Sequence, residues 1–168
     1  MMEWFEELPP IRSDISQWSP FIRNDWFRRH YMKFVYVLMA GIFAVPVWYN
    51  GGFSHVEDFP LLLIIIPLFI MHELLHIIVI HRQGDISLTF KGIFFWLNSD
   101  AVLSKRRFWV FMSLPFIVLS LVPLIASLWV SGEWKQLLFL IGWINLIISS
   151  SDIINSLLIL YSTEGIIR

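Results

Sequence analysis

His72-Glu73-Leu74-Leu75-His76 spells H-E-x-x-H, and it is the stretch of this chain whose residue types and spacing could do chemistry. On a helix, positions i and i+4 share a face, so the two imidazoles converge on one point. Imidazole nitrogens suit zinc, and the glutamate beside the first histidine reaches a water held at that point. The chemistry implied is metal-assisted hydrolysis, with His72 and His76 as ligands and Glu73 as general base. A catalytic zinc site takes three protein ligands and keeps one position open, so one ligand has to come from elsewhere.

The element that presents these residues is unusual. The motif interrupts an apolar run from Pro60 to His81, roughly the twenty residues a bilayer crossing needs. Composition agrees: mean hydropathy is +0.70, and 57% of residues are hydrophobic against 15% charged. A soluble domain would carry more charge. The net charge of −1 leaves no footprint for nucleic acid, and the absence of cysteine excludes disulfides, thiolate ligands and cysteine nucleophiles. At 168 residues, one domain is expected.

Four apolar stretches read as membrane spans, at about 33–49, 60–81, 108–130 and 137–161. Residues 1–32 mix Glu3, Glu6 and Glu7 with Arg12, Arg23, Arg28 and Arg29, and lack the order of a secretory signal. Trp4, Phe5, Trp18, Trp26, Phe27 and Tyr31 make this stretch an expected N-terminal arm at the lipid interface. Residues 33–168 then form the membrane domain. Between the second and third spans, Ile86, Leu88 and Phe90 alternate with Ser87, Thr89 and Lys91, a period of two that predicts strand. The fold class expected is an all-α membrane protein: a bundle of four transmembrane helices with a short β-hairpin on the cytoplasmic side. Basic residues set the orientation. Every Lys and Arg except Lys135 falls in the arm (with Lys33 at its edge), the segment after the second span, or the C-terminus. The positive-inside rule makes those segments cytoplasmic, both termini included, in a multi-pass protein of the cell membrane.

The fourth span offers the third ligand. Asn145, Ser149, Asp152 and Ser156 follow at intervals of four, three and four, one stripe on one helix face. An aspartate in hydrocarbon costs about 2.5–3.5 kcal/mol on insertion scales, so it should face the bundle and have a partner. At about 1.5 Å per residue, His76 and His72 lie about 8 and 14 Å from the cytoplasmic end of their helix, and Asp152 about 14 Å from the end of its own. Asp152 is the expected metal ligand, and Asn145 and Ser149 on the same stripe are expected to contact substrate. His81 is rotated off the pair's face, Glu133 is on the opposite side, Glu164 lies past the helix end, and Asp85 sits in a turn.

These residues resemble two related groups. An H-E-x-x-H on one transmembrane helix with an aspartate on a later one is similar to the site-2 protease type of intramembrane metalloprotease. The bacterial zincin peptidase family of small multi-span proteins is a closer match, through Lys91-Gly92, Leu114-Pro115-Phe116 and the run Asn145 to Asp152, written N-L-I-I-S-S-S-D. The resemblance covers about 60–161, a catalytic core to which the first span and the arm are additions. It implies that His72, His76 and Asp152 bind zinc and that Glu73 is the catalytic base. Site-2 proteases carry an Asn-Pro beside the aspartate and a glycine after it; Ser151-Asp152-Ile153 has neither, and no substrate is carried over.

The expected function is therefore a membrane-embedded zinc metalloprotease acting on a membrane or membrane-proximal protein, with lipid and a peptide substrate as partners. Zinc would polarise the peptide carbonyl and bring a water's pKa to about 7, and Glu73 would pass the proton to the leaving amine. Two other classes fit the same stripe: a membrane metal-handling or transport protein, and a non-catalytic protein that binds transmembrane helices. The edge of Ile86–Lys91 would suit an extended substrate; its plainer reading is a surface hairpin packed on the bundle.

Overall fold

The computed structural model describes residues 2–5, 24–50, 60–81, 86–91, 94–99, 103–161 and 166–167. Most of the N-terminal arm and residues 51–59, 82–85, 92–93, 100–102 and 162–165 lie outside the described residues.

Helix α1 runs Asp25–Asn50, starting eight residues before the expected first span. The cause is local. The Asn24 side chain caps the helix by accepting from the Phe27 N–H at 2.9 Å, and Asp25 pairs with Arg28 at 2.7 Å in the first turn. Trp26, Phe27 and Tyr31, expected in an interfacial arm, are thus helical. Further along, the Trp143 indole donates to the Ile42 carbonyl at 3.0 Å, which fixes α1 against a later helix.

Helix α2, Leu61–Ile80, is about 30 Å long. Its buried residues are Leu68, His72, His76 and Ile80, a stripe at every fourth position. Its outward face is Leu62, Leu63, Ile66, Ile70, Leu74 and Ile78, all exposed. Histidines inside and leucines outside invert the soluble pattern, as expected where the surroundings are lipid.

Strands β2 (Ile86–Lys91) and β3 (Phe94–Ser99) pair antiparallel, from Ile86 opposite Ser99 to Lys91 opposite Phe94. Strand β1, Met2–Phe5, lies parallel along the other side of β2. The sheet order is β1-β2-β3, so Ile86–Lys91 is the central strand. The chain's own N-terminal segment thus occupies the edge of this strand over Ile86–Thr89, where a substrate strand would otherwise pair.

A short strand β4, Leu103–Ser104, leads into α3, Lys105–Phe116, whose start is capped by the Ser104 hydroxyl. After Pro115 the backbone continues as a π-helical segment, Ile117–Leu121, and then α4, Val122–Ala126. Ser113, Ser120 and Ser127, seven residues apart, are all buried and mark the inward face of this run.

Helices α5 (Gly132–Ile148) and α6 (Ser150–Tyr161) meet at a 62° bend. One straight span over 137–161 was expected. The break sits in the run Ser149-Ser150-Ser151: Ser149 has ψ near 8°, and the Ser150 hydroxyl donates to the Ile147 carbonyl at 2.8 Å, satisfying an acceptor near the helix end. Strand β5, Ile166–Ile167, then pairs antiparallel with β4.

Among the described residues, α2 and the run Lys105–Ala126 are long and apolar enough to cross a membrane, with α5 and α6 a third if the bent pair is one span. That is fewer than the four spans expected; α1, which opens with Asp25, Arg28, Arg29 and Lys33, is not among them. The chain is mostly helical. Along α2, two apolar clusters lie either side of the histidines. Leu68, Leu140, Trp143 and Ile144 form one, and Ile80 and Leu103 with Phe108 and Phe111 form the other.

Candidate metal centre

The histidines are held by their far nitrogens. His76 Nδ1 lies 2.8 Å from the Phe111 carbonyl oxygen. A carbonyl only accepts, so Nδ1 carries a proton, and in the neutral ring Nε2 keeps its lone pair. His72 Nδ1 lies 3.0 Å from Asn145 Oδ1. The orientation of that amide follows from its other end, where Nδ2 donates to the Pro115 carbonyl at 3.1 Å; a carbonyl cannot face an amide oxygen. His72 Nδ1 is therefore also the donor. Both rings turn Nε2, bare in the neutral tautomer, toward the same point.

The third atom there is Asp152 Oδ2, 3.0 Å from His72 Nε2 and 3.4 Å from His76 Nε2. The three candidate ligand atoms all lie within 4.8 Å of one another. With both rings neutral, each Nε2 presents a lone pair and the carboxylate is an acceptor, and Asp152 Oδ2 is buried without another hydrogen-bond partner. Three converging acceptors repel unless a cation sits among them, so the donor set fits a metal ion. Ligands about 2.05 Å from a tetrahedral centre are roughly 3.3 Å apart, and the two His–Asp separations bracket that value.

The bend at Ser149 contributes to the site. It makes Asp152 a first-turn residue of α6, where the exposed N–H groups and the helix dipole favour a carboxylate. A straight helix would have put the same aspartate mid-span with its neighbouring amides already used. Glu73 follows His72 on α2, roughly 100° further round the helix, and is half-buried, less enclosed than His72 or Asp152.

The structure brings together His72, His76 and Asp152, as the sequence led one to expect, and moves Asn145 and Ser149 to a different task. Both are fully buried. Besides the Pro115 carbonyl, Asn145 Nδ2 faces Ser120 Oγ at 2.8 Å and Ser149 Oγ at 3.1 Å. Both polar side-chain atoms of Asn145 are thus engaged inside the protein. Asn145 instead links α5, the π-helical segment and the His72 ring. Gly142, one turn earlier, makes that link possible: a Cβ there would meet Leu124 Cγ at 2.7 Å and the Ser120 carbonyl at 2.9 Å.

Three participants escaped the sequence reading. The Phe111 carbonyl is backbone and has no residue-type signature. Ser120 was signalled by the seven-residue spacing of serines in an otherwise apolar run. Tyr31, read as an interfacial ring, points its hydroxyl at Asn155 Oδ1 (3.0 Å) and the Ser151 carbonyl (3.2 Å), so α1 is tied to both neighbours of the Asp152 turn.

A buried pair of histidines at i and i+4, a carboxylate from another helix and a glutamate beside the first histidine define a metallopeptidase-type centre, here in a protein with membrane-length apolar helices. The chain belongs to the family described as "Putative zincin peptidase", which matches residues 63–167. Membership implies a zinc-dependent peptidase, and the matched residues contain His72, Glu73, His76, Pro115, Asn145 and Asp152 while α1 precedes them. No curated protein and no solved structure matches the chain.

Proposed function

We propose that this protein is an intramembrane zinc endopeptidase of the site-2 protease type, cleaving a membrane or membrane-proximal polypeptide. The observation that carries the reading is the convergence of His72 Nε2, His76 Nε2 and Asp152 Oδ2, beside Glu73. In this reading His72, His76 and Asp152 hold zinc, which supplies Lewis acidity toward the peptide carbonyl and toward a water. Glu73 accepts the proton released as water attacks and delivers it to the leaving amine. Asn145 and the Phe111 carbonyl keep both imidazoles in the ligating tautomer throughout. The apolar clusters either side of the histidines restrict bulk water, which strengthens each electrostatic contact inside.

The partners in this reading are lipid around the outward face of α2 and an extended peptide at the site. The site lies toward the cytoplasmic end of α2, with His76 about 6 Å and His72 about 12 Å from Ile80. We place both termini and the strands on that cytoplasmic side, with α1 as a further membrane-embedded helix. The pairing of β1 with β2 and of β5 with β4 supports this, since it joins each terminal segment to the connection between α2 and α3.

The test is Glu73→Gln and Asp152→Ala in purified protein with a transmembrane reporter substrate. Glu73→Gln should retain zinc and lose cleavage; Asp152→Ala should lose both. Full zinc in Asp152→Ala sinks the ligand assignment, and undiminished cleavage in Glu73→Gln sinks the mechanism. Zinc binding with no cleavage even in wild type would favour a metal-handling or helix-binding role.

A further inference from the structure

The acceptor that orients His76 requires an explanation. In α3 the Phe111 carbonyl would normally be consumed by the N–H of the residue four positions later. That residue is Pro115, which has no N–H, and whose ring crowds the carbonyl at i−4 and turns it outward. The freed oxygen lies 2.8 Å from His76 Nδ1, and the Phe111 ring packs on the same imidazole with centroids 4.6 Å apart. Pro115 is itself buried, so its place is set by packing. Its own carbonyl, at the entry to the π-helical segment, takes Asn145 Nδ2, and Asn145 orients His72. One turn of backbone around a single proline thus presents two carbonyls, one leading to each histidine.

We propose that Pro115 is a positioning residue of the metal centre: by withdrawing one N–H from α3 it reserves the Phe111 carbonyl for His76 and so fixes that ring's tautomer and direction. The inference rests on the reading of His72, His76 and Asp152 as a metal centre, but its core can be observed without any metal. Pro123, further along the same run, also removes a helical N–H. Both histidine Nδ1 atoms are already bonded to Asn145 and Phe111, so the carbonyl opposite Pro123 serves neither.

The experiment compares wild type, Pro115→Ala and Pro123→Ala in detergent, with two readouts. The first is nitrogen-15 NMR of the histidine rings in metal-free protein, assigned with His76→Gln. Wild type should show His76 with its proton on Nδ1; Pro115→Ala, whose new N–H competes for the Phe111 oxygen, should show a mixture with the Nε2 form; Pro123→Ala should match wild type. The second is zinc affinity by competition with a chelator, where loss of an outer partner weakens binding about 10- to 100-fold. Pro115→Ala should fall in that range and Pro123→Ala should not change. Wild-type His76 protonated on Nε2 overturns the proposal outright, whether or not either variant folds. So does a Pro115→Ala protein with wild-type tautomer and zinc affinity, or an equal loss in Pro123→Ala. A metal-free wild type with the expected tautomer but no zinc binding would refute the metal reading and leave the tautomer device standing.

Discussion

Replacing Asn145 by leucine removes a hub while keeping similar volume. Four partners are affected: His72 Nδ1, the Pro115 carbonyl, Ser120 Oγ and Ser149 Oγ, all within 3.1 Å of the amide. The two serine hydroxyls have an alternative, since each can rotate to bond a carbonyl one turn back on its own helix. His72 Nδ1–H and the Pro115 carbonyl have none among the contacts described. A buried polar group left unpaired costs about 1–3 kcal/mol, so the folded protein should lose about 2–6 kcal/mol. The His72 share alone bears on metal binding. About 1–3 kcal/mol corresponds to roughly a 5- to 150-fold weaker zinc affinity, which overlaps the tenfold to hundredfold seen when outer partners of metal ligands are removed. Asn145→Asp separates the two roles. It keeps an acceptor for His72 but has no N–H for Pro115, so it should retain most of the zinc affinity while losing stability. The assay is competitive zinc titration beside thermal unfolding, each in detergent. Wild-type zinc affinity in a folded Asn145→Leu protein would refute the assignment of Asn145 as the residue that orients His72.

Gly142→Ala should destabilise by about 1–3 kcal/mol, because its methyl meets a backbone carbonyl as well as a leucine carbon. Zinc affinity should weaken with it, since α5 must move and carry Asn145 away from Ser120; an unchanged unfolding temperature would count against the close approach of these helices. Tyr31→Phe deletes one hydroxyl that bonds Asn155 or the Ser151 carbonyl, and should cost about 0.5–1.5 kcal/mol. Cleavage should drop several-fold with zinc content retained, because α6 is held less firmly beside Asp152. Equal activity and stability would show that α1 merely covers the bundle.

What the sequence determined by itself is whatever depends on period and cost. The four-residue spacing of His72 and His76 is a property of one helix, and needs no knowledge of its neighbours. Asp152 was identifiable because a carboxylate in an apolar run demands a partner, and few partners existed. The apolar runs of membrane length were visible for the same reason.

Tertiary structure decided the rest, and each case has a physical cause. Ser149 read as part of a continuous polar stripe, yet the helix bends there while the neighbouring Ser150 hydroxyl takes the Ile147 carbonyl, and the bend turns Asp152 into a first-turn residue. Asn145 looked like a substrate contact because a polar stripe does not say whether it faces a cavity or another helix; it faces the π-helical segment and the His72 ring. Ile86–Lys91 was recognisable as a strand of a short hairpin, but its other neighbour comes from residues 2–5, and strand pairing over such a separation leaves no local trace. Pro115 entered the sequence reading only through the resemblance carried by Leu114-Pro115-Phe116, with no task of its own. Its consequence is a freed backbone oxygen, and backbone oxygens are the same at every position until the fold decides which of them stands opposite an imidazole.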